Sequence, residues 1–307
     1  MTDATNNNAA VRASAERAAV AALPRQESVA TWLWNWLKHD KRAAISITYL
    51  AILVIAAILA PLFAPYDPNE QNLMDLLMPP SSAHWLGTDD LGRDTFSRLL
   101  YGSYNALYAA GLAVGIAVAI GVPVGVVIGF VGGWIDEAVS RVIDAILAFP
   151  PLVLAVAVTG ALGIGLTNAM IAVGFSFAPV IARTMRAQTL VVKNAVYVEA
   201  ATGFGASRAH LIVRHIVPNA IQPVIVEITL MLAVALLAEA GLSFLSLGVQ
   251  PPESSWGGML ARAYHYVEVA PAQMLAPGFA ILLTALAFNT LGESIRVLLD
   301  PTIKKKR

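Results

Sequence analysis

Of the 307 residues, 57% are hydrophobic and 13% charged, against about a quarter charged in an average soluble domain. That is too little charge to cover a water-facing surface, so most of the chain must face lipid or other apolar helices. Net charge is zero and nothing points to nucleic acid; the absence of cysteine excludes disulfides, thiolate zinc sites and cysteine nucleophiles.

Residues 1–30 are polar and Ala-rich, without strong periodicity. Trp32, Trp34 and Trp36 then precede Lys38, Lys41 and Arg42. Indoles favour the headgroup region and cations the inner leaflet, so this stretch reads as an interfacial helix or, alternatively, as a docking site for a partner. Six apolar runs follow, at 43–63, 104–131, 142–162, 168–190, 219–247 and 274–298. Each is long enough to cross a bilayer as a helix, for which about 20 residues are needed. None alternates with the period of two that barrel strands require. The expected fold is an all-α polytopic membrane protein with six transmembrane helices. The first run is too long for the apolar region of a signal peptide, and Pro61 follows Ala60 at the best small-residue site, so it reads as a retained span.

Of the 20 Lys and Arg residues, only Arg93, Arg98 and Arg262 fall on one side of the predicted spans. By the positive-inside rule that side is external and both termini are cytoplasmic. The chain thus divides into a cytoplasmic tail (1–42), the first span with its external loop (43–103), a helical transmembrane domain (104–298) and a basic tail (299–307). The external segments 64–103 and 248–273 are far longer than a hairpin needs. They carry Asp89, Asp90, Arg93 and Asp94 in one and Trp256 in the other. They are candidates for contact with an extracytoplasmic partner, or else a cap packed on the helix ends.

In the second run, Gly121, Gly125, Gly129 and Gly133 recur every four residues, after Gly111 and Gly115. Such a stripe lets helix backbones approach closely. The fifth run holds Glu227 and Glu239. A carboxylate facing lipid is costly, so both are candidates for a water-lined path, or else are hydrogen-bonded structural glutamates.

The largest internal loop, near 191–218, reads E-A-A-T-G-F-G-A-S-R-A-H-L-I-V-R-H-I-V-P-N from Glu199 to Asn219. Glu199, Ala200 and Ala201 favour helix, and Gly203 and Gly205 suit a turn. Ser207 can cap a second short helix, which is expected to end near His215 because Pro218 follows. That helix is expected to present Leu211, Ile212 and Ile216 beside Arg208 and Arg214, a mixed apolar and basic surface suited to a groove in another protein.

Glu199-Ala200-Ala201, Gly205 and Pro218 resemble the EAA loop of ABC importer permeases. Val217 stands where leucine is usual and His215 where isoleucine is common, but R-H-I-x-P-N from Arg214 to Asn219 is familiar in the peptide branch. Leu86 to Asp94 (L-G-T-D-D-L-G-R-D), Leu242 to Pro252, Ser255 to Leu260 (S-W-G-G-M-L) and Pro277 to Gly292 together resemble the C-type permease of dipeptide and oligopeptide importers. The resemblance spans about residues 40–301. It implies the type I ABC importer permease fold, and a coupling loop at Glu199, Ala200, Ala201, Gly205, Arg208, Leu211, His215 and Pro218 that sits in a cleft of an ATPase. It also implies a homologous B-type permease, two ABC ATPase subunits that bind ATP and Mg, a substrate-binding protein, and a place in the bacterial cytoplasmic membrane. Short peptides are the expected substrate, with nickel, haem or glutathione as alternatives. No cofactor is expected on this chain, which lacks a Walker loop.

Two other classes fit less well. An intramembrane enzyme could draw on His84, His210, His215 and Ser243, but His210 and His215 are predicted in the cytoplasmic loop and Ser243 near the outer face, so they cannot meet as a nucleophile pair. There is no H-E-x-x-H for zinc, and Asp89, Asp90 and Asp94 lack the calcium-loop pattern; neither catalytic nor metal residues are expected. A stand-alone secondary transporter would keep coupling ions on intramembrane charges, which are sparse here.

Overall fold

A computed structural model describes residues 36–299. The expectations for residues 1–30, for Trp32 and Trp34, and for the tail beyond Leu299 lie outside the described residues. From Lys41 onward the elements are helical: α1 (Lys41–Ile58), α2 (Ala60–Phe63), α3 (Thr95–Val131), α4 (Gly133–Leu147), α5 (Pro151–Leu162), α6 (Leu166–Lys193), α7 (Val196–Gly203), α8 (Arg208–Phe244), α9 (Trp256–Tyr264) and α10 (Ala272–Leu299). Helices α1, α3, α6, α8 and α10 are each long and apolar enough to cross a membrane; α4 and α5 make a sixth span when counted as one bent pair.

That pair corrects the expected third span. Residues 142–162 do not form one rod: α4 and α5 meet at 89°. Phe149, Pro150 and Pro151 supply the break, since a residue before proline is pushed toward extended backbone, and Pro150 has ψ 128°. Helix α4 is amphipathic. Ile143 is buried with Val139 and Leu147 against Ile128 and Ala182, while Asp136 takes a two-point contact from Arg186 (2.5 and 2.7 Å) and Asp144 pairs with Arg183 (2.6 Å).

Two further helices start earlier than expected. Helix α3 begins at Thr95 rather than 104, because Asp94 caps it through the Ser97 N–H and hydroxyl and the Pro68 carbonyl accepts from Arg98. Helix α8 begins at Arg208 rather than 219, for a reason given below. Prolines at 123, 179, 223 and 277 lie inside α3, α6, α8 and α10, as spanning helices tolerate where neighbours re-satisfy the backbone.

The principal packing is α3 on α6. A Cβ added at Gly121 would lie 2.6 Å from the Ala178 carbonyl oxygen, at Gly125 2.5 Å from that of Ala182, and at Gly129 2.7 Å from Thr189 Cβ. The stripe is therefore an intrachain helix contact, with Gly174 of α6 returning it against Ala113. Gly111, Gly115 and Gly133 take no part, having nothing within 4 Å of an added Cβ.

The bundle has two ends. At one, Lys193 Nζ donates to the Phe130 carbonyl (2.6 Å), joining the C-termini of α3 and α6 next to α7. At the other, the segments 64–94 and 245–271 close over the start of α3 as a cap, with Trp256 Nε1 donating to Leu99 O (3.0 Å).

Candidate functional site

Helix α7 contains Glu199, Ala200 and Ala201 and stops in a fully hydrogen-bonded turn. The Ala206 N–H reaches Ala201 O and the Gly205 N–H reaches Thr202 O, both within 3.1 Å. This is the paired closure of a Schellman motif, and it places Gly205 at φ +83°. Ser207 Oγ then accepts from the His210 N–H (3.3 Å) and caps α8.

Pro218 does not end the second helix, contrary to the sequence expectation. Over Leu211–Ile216 the backbone widens into a π turn, in which the Val217 N–H reaches back five residues to Ile212 O. Proline lacks the N–H that would return to Arg214 and its ring crowds that carbonyl; the wide turn gives room, and the helix runs on to Phe244. The same turn brings the rings of His210 and His215 to 5.5 Å, with Tyr197 6.3 Å from His215.

The orientation of this module is also corrected. Leu211 and Ile216 are not presented outward: both are buried in the main core, and Ile212 packs against it. The outer surface instead carries Glu199, Ala200, Arg208, His210, Val213, Arg214 and Pro218, with Phe204, 93% exposed, at the tip. Sequence reasoning passed over Phe204, although an aromatic between two turn glycines was the available signal.

Glu227 lies half-buried in a cleft of about 550 Å³ with Thr184, Gln222, Val226 and Arg296, toward the α7 end of α8. Glu239 is enclosed within the chain, where its Oε1 accepts from Ser243 Oγ (2.7 Å), which in turn accepts from the Val249 N–H (3.2 Å). It braces the turn after α8; a fully buried side chain offers nothing to a path or a gate in this conformation.

Of the two roles left open for the external residues, contact with a partner or packing as a cap, the structure places most of them in the cap. Arg93, Asp94 and Trp256 are each at most 2% exposed. Asp89 receives Arg93 (2.6 Å) and lies 3.6 Å from Arg98; Asp90 faces Arg262 (3.4 Å). Asp94 accepts from the Ser97 N–H and hydroxyl, and meets the His84 ring at 2.9 Å. These side chains build the cap rather than its outer surface. Arg98, read from the sequence only as one of three external basic residues, links both external segments, donating to Pro68 O (2.6 Å) and reaching the Pro252 and Glu253 carbonyls at 3.5 Å. Arg98→Ala leaves the buried Pro68 carbonyl without its donor and removes the tie to the second segment, at about 2–3 kcal/mol. A clear drop in thermal midpoint in detergent and faster proteolysis within 64–94 are expected; an unchanged midpoint would show that Arg98 does not hold the cap.

Comparison with known proteins agrees with this architecture. The family profile of the binding-protein-dependent transport system inner membrane component matches residues 121–305, and that of the N-terminal TM domain of oligopeptide transport permease C matches residues 32–80. The "Probable D,D-dipeptide transport system permease protein DdpC" of Escherichia coli strain K12 is 43% identical over 86% of this chain and 89% of its own length. The glutathione transport system permease protein GsiD of Shigella flexneri serotype 5b is 41% identical over 88% and 90%. Among solved structures, the MetNI methionine ABC transporter in an inward-facing conformation aligns with TM-score 0.54 at 19% identity, over 66% of this chain and 97% of that one. The bundle therefore has the type I ABC importer permease fold.

Proposed function

The chain belongs to the family of binding-protein-dependent transport system inner membrane components, and on that premise we propose that it couples ATP hydrolysis by partner subunits to the import of short peptides. In this reading it is a non-catalytic, multi-pass permease subunit paired with a homologous B-type permease. Two ABC ATPases hold ATP and Mg, and a substrate-binding protein delivers peptide from outside. The α7 end faces the cytoplasm and the cap faces outward, with both termini inside.

One observation carries the coupling role. The module from α7 to the π turn is rooted in the core by Val198, Leu211 and Ile216, while its outer surface carries Phe204 at the tip together with exposed Arg208 and Arg214. A rigid root with a mixed apolar and basic outer surface can transmit a push from a docked partner. As the ATPases close, the tip moves with them and α8, continuous from the module to the cap end, carries the displacement through the membrane. The cleft at Glu227 then serves as the inner part of the path. For the substrate, the reading rests on the relatives' names, a D,D-dipeptide and glutathione, both small peptides.

The chain lacks cysteine, so Phe204→Cys introduces a single thiol. In the complex expressed with its ATPases, a short bifunctional reagent is expected to join this position to an ATPase, with a yield that changes when an ATP analogue is added. Leu62→Cys, exposed elsewhere on the chain, is the control. An ATPase adduct from Leu62→Cys but not from Phe204→Cys would overturn the coupling assignment.

A further inference from the structure

At the cap end, α3, the start of α6 and the turn at Gln250–Glu253 line an open cleft of about 460 Å³, within the size range of small-ligand sites. Its side-chain amides share one property. Three side-chain amides line it, and each has its NH₂ group engaged by backbone carbonyls: Asn105 by Ser254 O (2.8 Å), Gln250 by Ser246 O and Gly248 O (3.0 and 3.1 Å), and Asn168 by Leu162 O and Gly163 O (both 3.1 Å). A carbonyl partner fixes which end of an amide is the donor, so the other end of each is an acceptor oxygen, with one N–H of Asn105 left beside it.

Charge and aromatic geometry act in the same direction. Glu253 lines the pocket and its side chain has no cationic partner among the described residues. The arginines of the cap, Arg93, Arg98 and Arg262, are held by Asp89 and Asp90. The rings of Tyr104 and Tyr108 stand parallel, 6° apart in tilt and 6.3 Å between centroids, on the same wall. Aromatic faces attract cations. A pocket with acceptor oxygens, an unpaired carboxylate and two π faces suits a group with several N–H donors and a positive charge.

We propose that this pocket receives the primary ammonium group of the substrate, the free amino terminus of a peptide, as it leaves the binding protein. The assignment of that ammonium to a peptide rests on the import reading above; the preference of the pocket for cations does not. Glu253 supplies the counter-charge, the amide oxygens of Asn105 and Gln250 accept N–H donors, and the tyrosines cover the cation.

Two measurements on the assembled transporter separate these statements. The first places a thiol on the rim with Thr167→Cys and compares its rates of modification by a trimethylammonium and a sulfonate methanethiosulfonate, read on this chain by mass spectrometry. With each rate divided by that reagent's rate with a free thiol in solution, the cationic reagent is expected to be favoured about tenfold, and adding Glu253→Gln should remove most of that preference. Equal normalised rates, or a preference indifferent to Glu253→Gln, would overturn the proposal. The second measures ATP-driven uptake of a dipeptide and its N-acetyl form at saturating loaded binding protein. Glu253→Gln is expected to slow the free dipeptide about tenfold and leave the acetylated one unchanged. If both slow equally while the half-saturating concentration of binding protein rises, Glu253 contacts the binding protein and not the substrate, and the proposal fails. If the cationic preference holds but wild type imports neither peptide, the peptide reading fails and the cation pocket stands.

Discussion

Gly205→Asp is expected to reduce uptake more than tenfold while the protein reaches the membrane and its partners continue to hydrolyse ATP. The turn needs φ +83° at this position, where an L-residue costs about 1–2 kcal/mol and aspartate is among those that tolerate it best. An added Cβ meets nothing within 4 Å, so no internal clash unfolds the module. Val198, Leu211 and Ile216 still hold it in the core. What changes is the outer surface, which gains a carboxylate next to Phe204 where a docked ATPase would lie. Gly205→Ala separates the two effects, since it carries the backbone cost without the charge. Near-normal uptake is expected for Gly205→Ala. Normal transport in Gly205→Asp, measured with ATPase activity and membrane abundance in the same preparation, would remove the loop from the coupling route.

The second large effect is on folding. Gly125→Val puts a Cβ 2.5 Å from the Ala182 carbonyl oxygen, 2.7 Å from Met185 Cβ and 3.0 Å from the Arg186 backbone nitrogen. Two of these three are backbone atoms, and α6 is held there by its ion pairs to α4. Relief requires moving one whole helix off another, so a loss of about 3 kcal/mol or more is expected, at the upper end for overpacking. It should appear as low abundance and a much lower thermal midpoint in detergent. Gly115→Val, on the same helix with nothing near its Cβ, should behave almost as wild type. Equal loss in both variants would mean that glycine matters for helix flexibility rather than close approach.

What was legible in the sequence follows from which interactions are local. Long apolar runs report spanning helices because hydrophobic length is a property of the segment itself, and Glu199-Ala200-Ala201 with Gly205 reports the helix and its turn for the same reason. The bend between α4 and α5 was written in Phe149-Pro150-Pro151 but lay within a continuous apolar stretch from 146, so hydropathy concealed it. Pro218 misled because proline usually stops a helix; a π turn that absorbs it has no simple local code. The direction of Leu211 and Ile216 was not legible at all. An amphipathic helix declares one apolar face, but not whether its own bundle or another protein covers it. The cap illustrates the same limit. Asp90 was visible as an external charge, while its partner Arg262 is 172 positions away, so the sequence left partner contact and cap packing both open for it and only the fold pairs it.

The central claim is that this chain is the membrane half of an ATP-driven machine. The most direct test is to tag it, extract the membranes in mild detergent with an ATP analogue present, and identify what co-purifies by mass spectrometry. The account predicts a second permease of the same family together with Walker-motif ATPases. Recovery of this chain alone, repeated under stabilising conditions, would contradict it and favour a transporter that works without an ATPase.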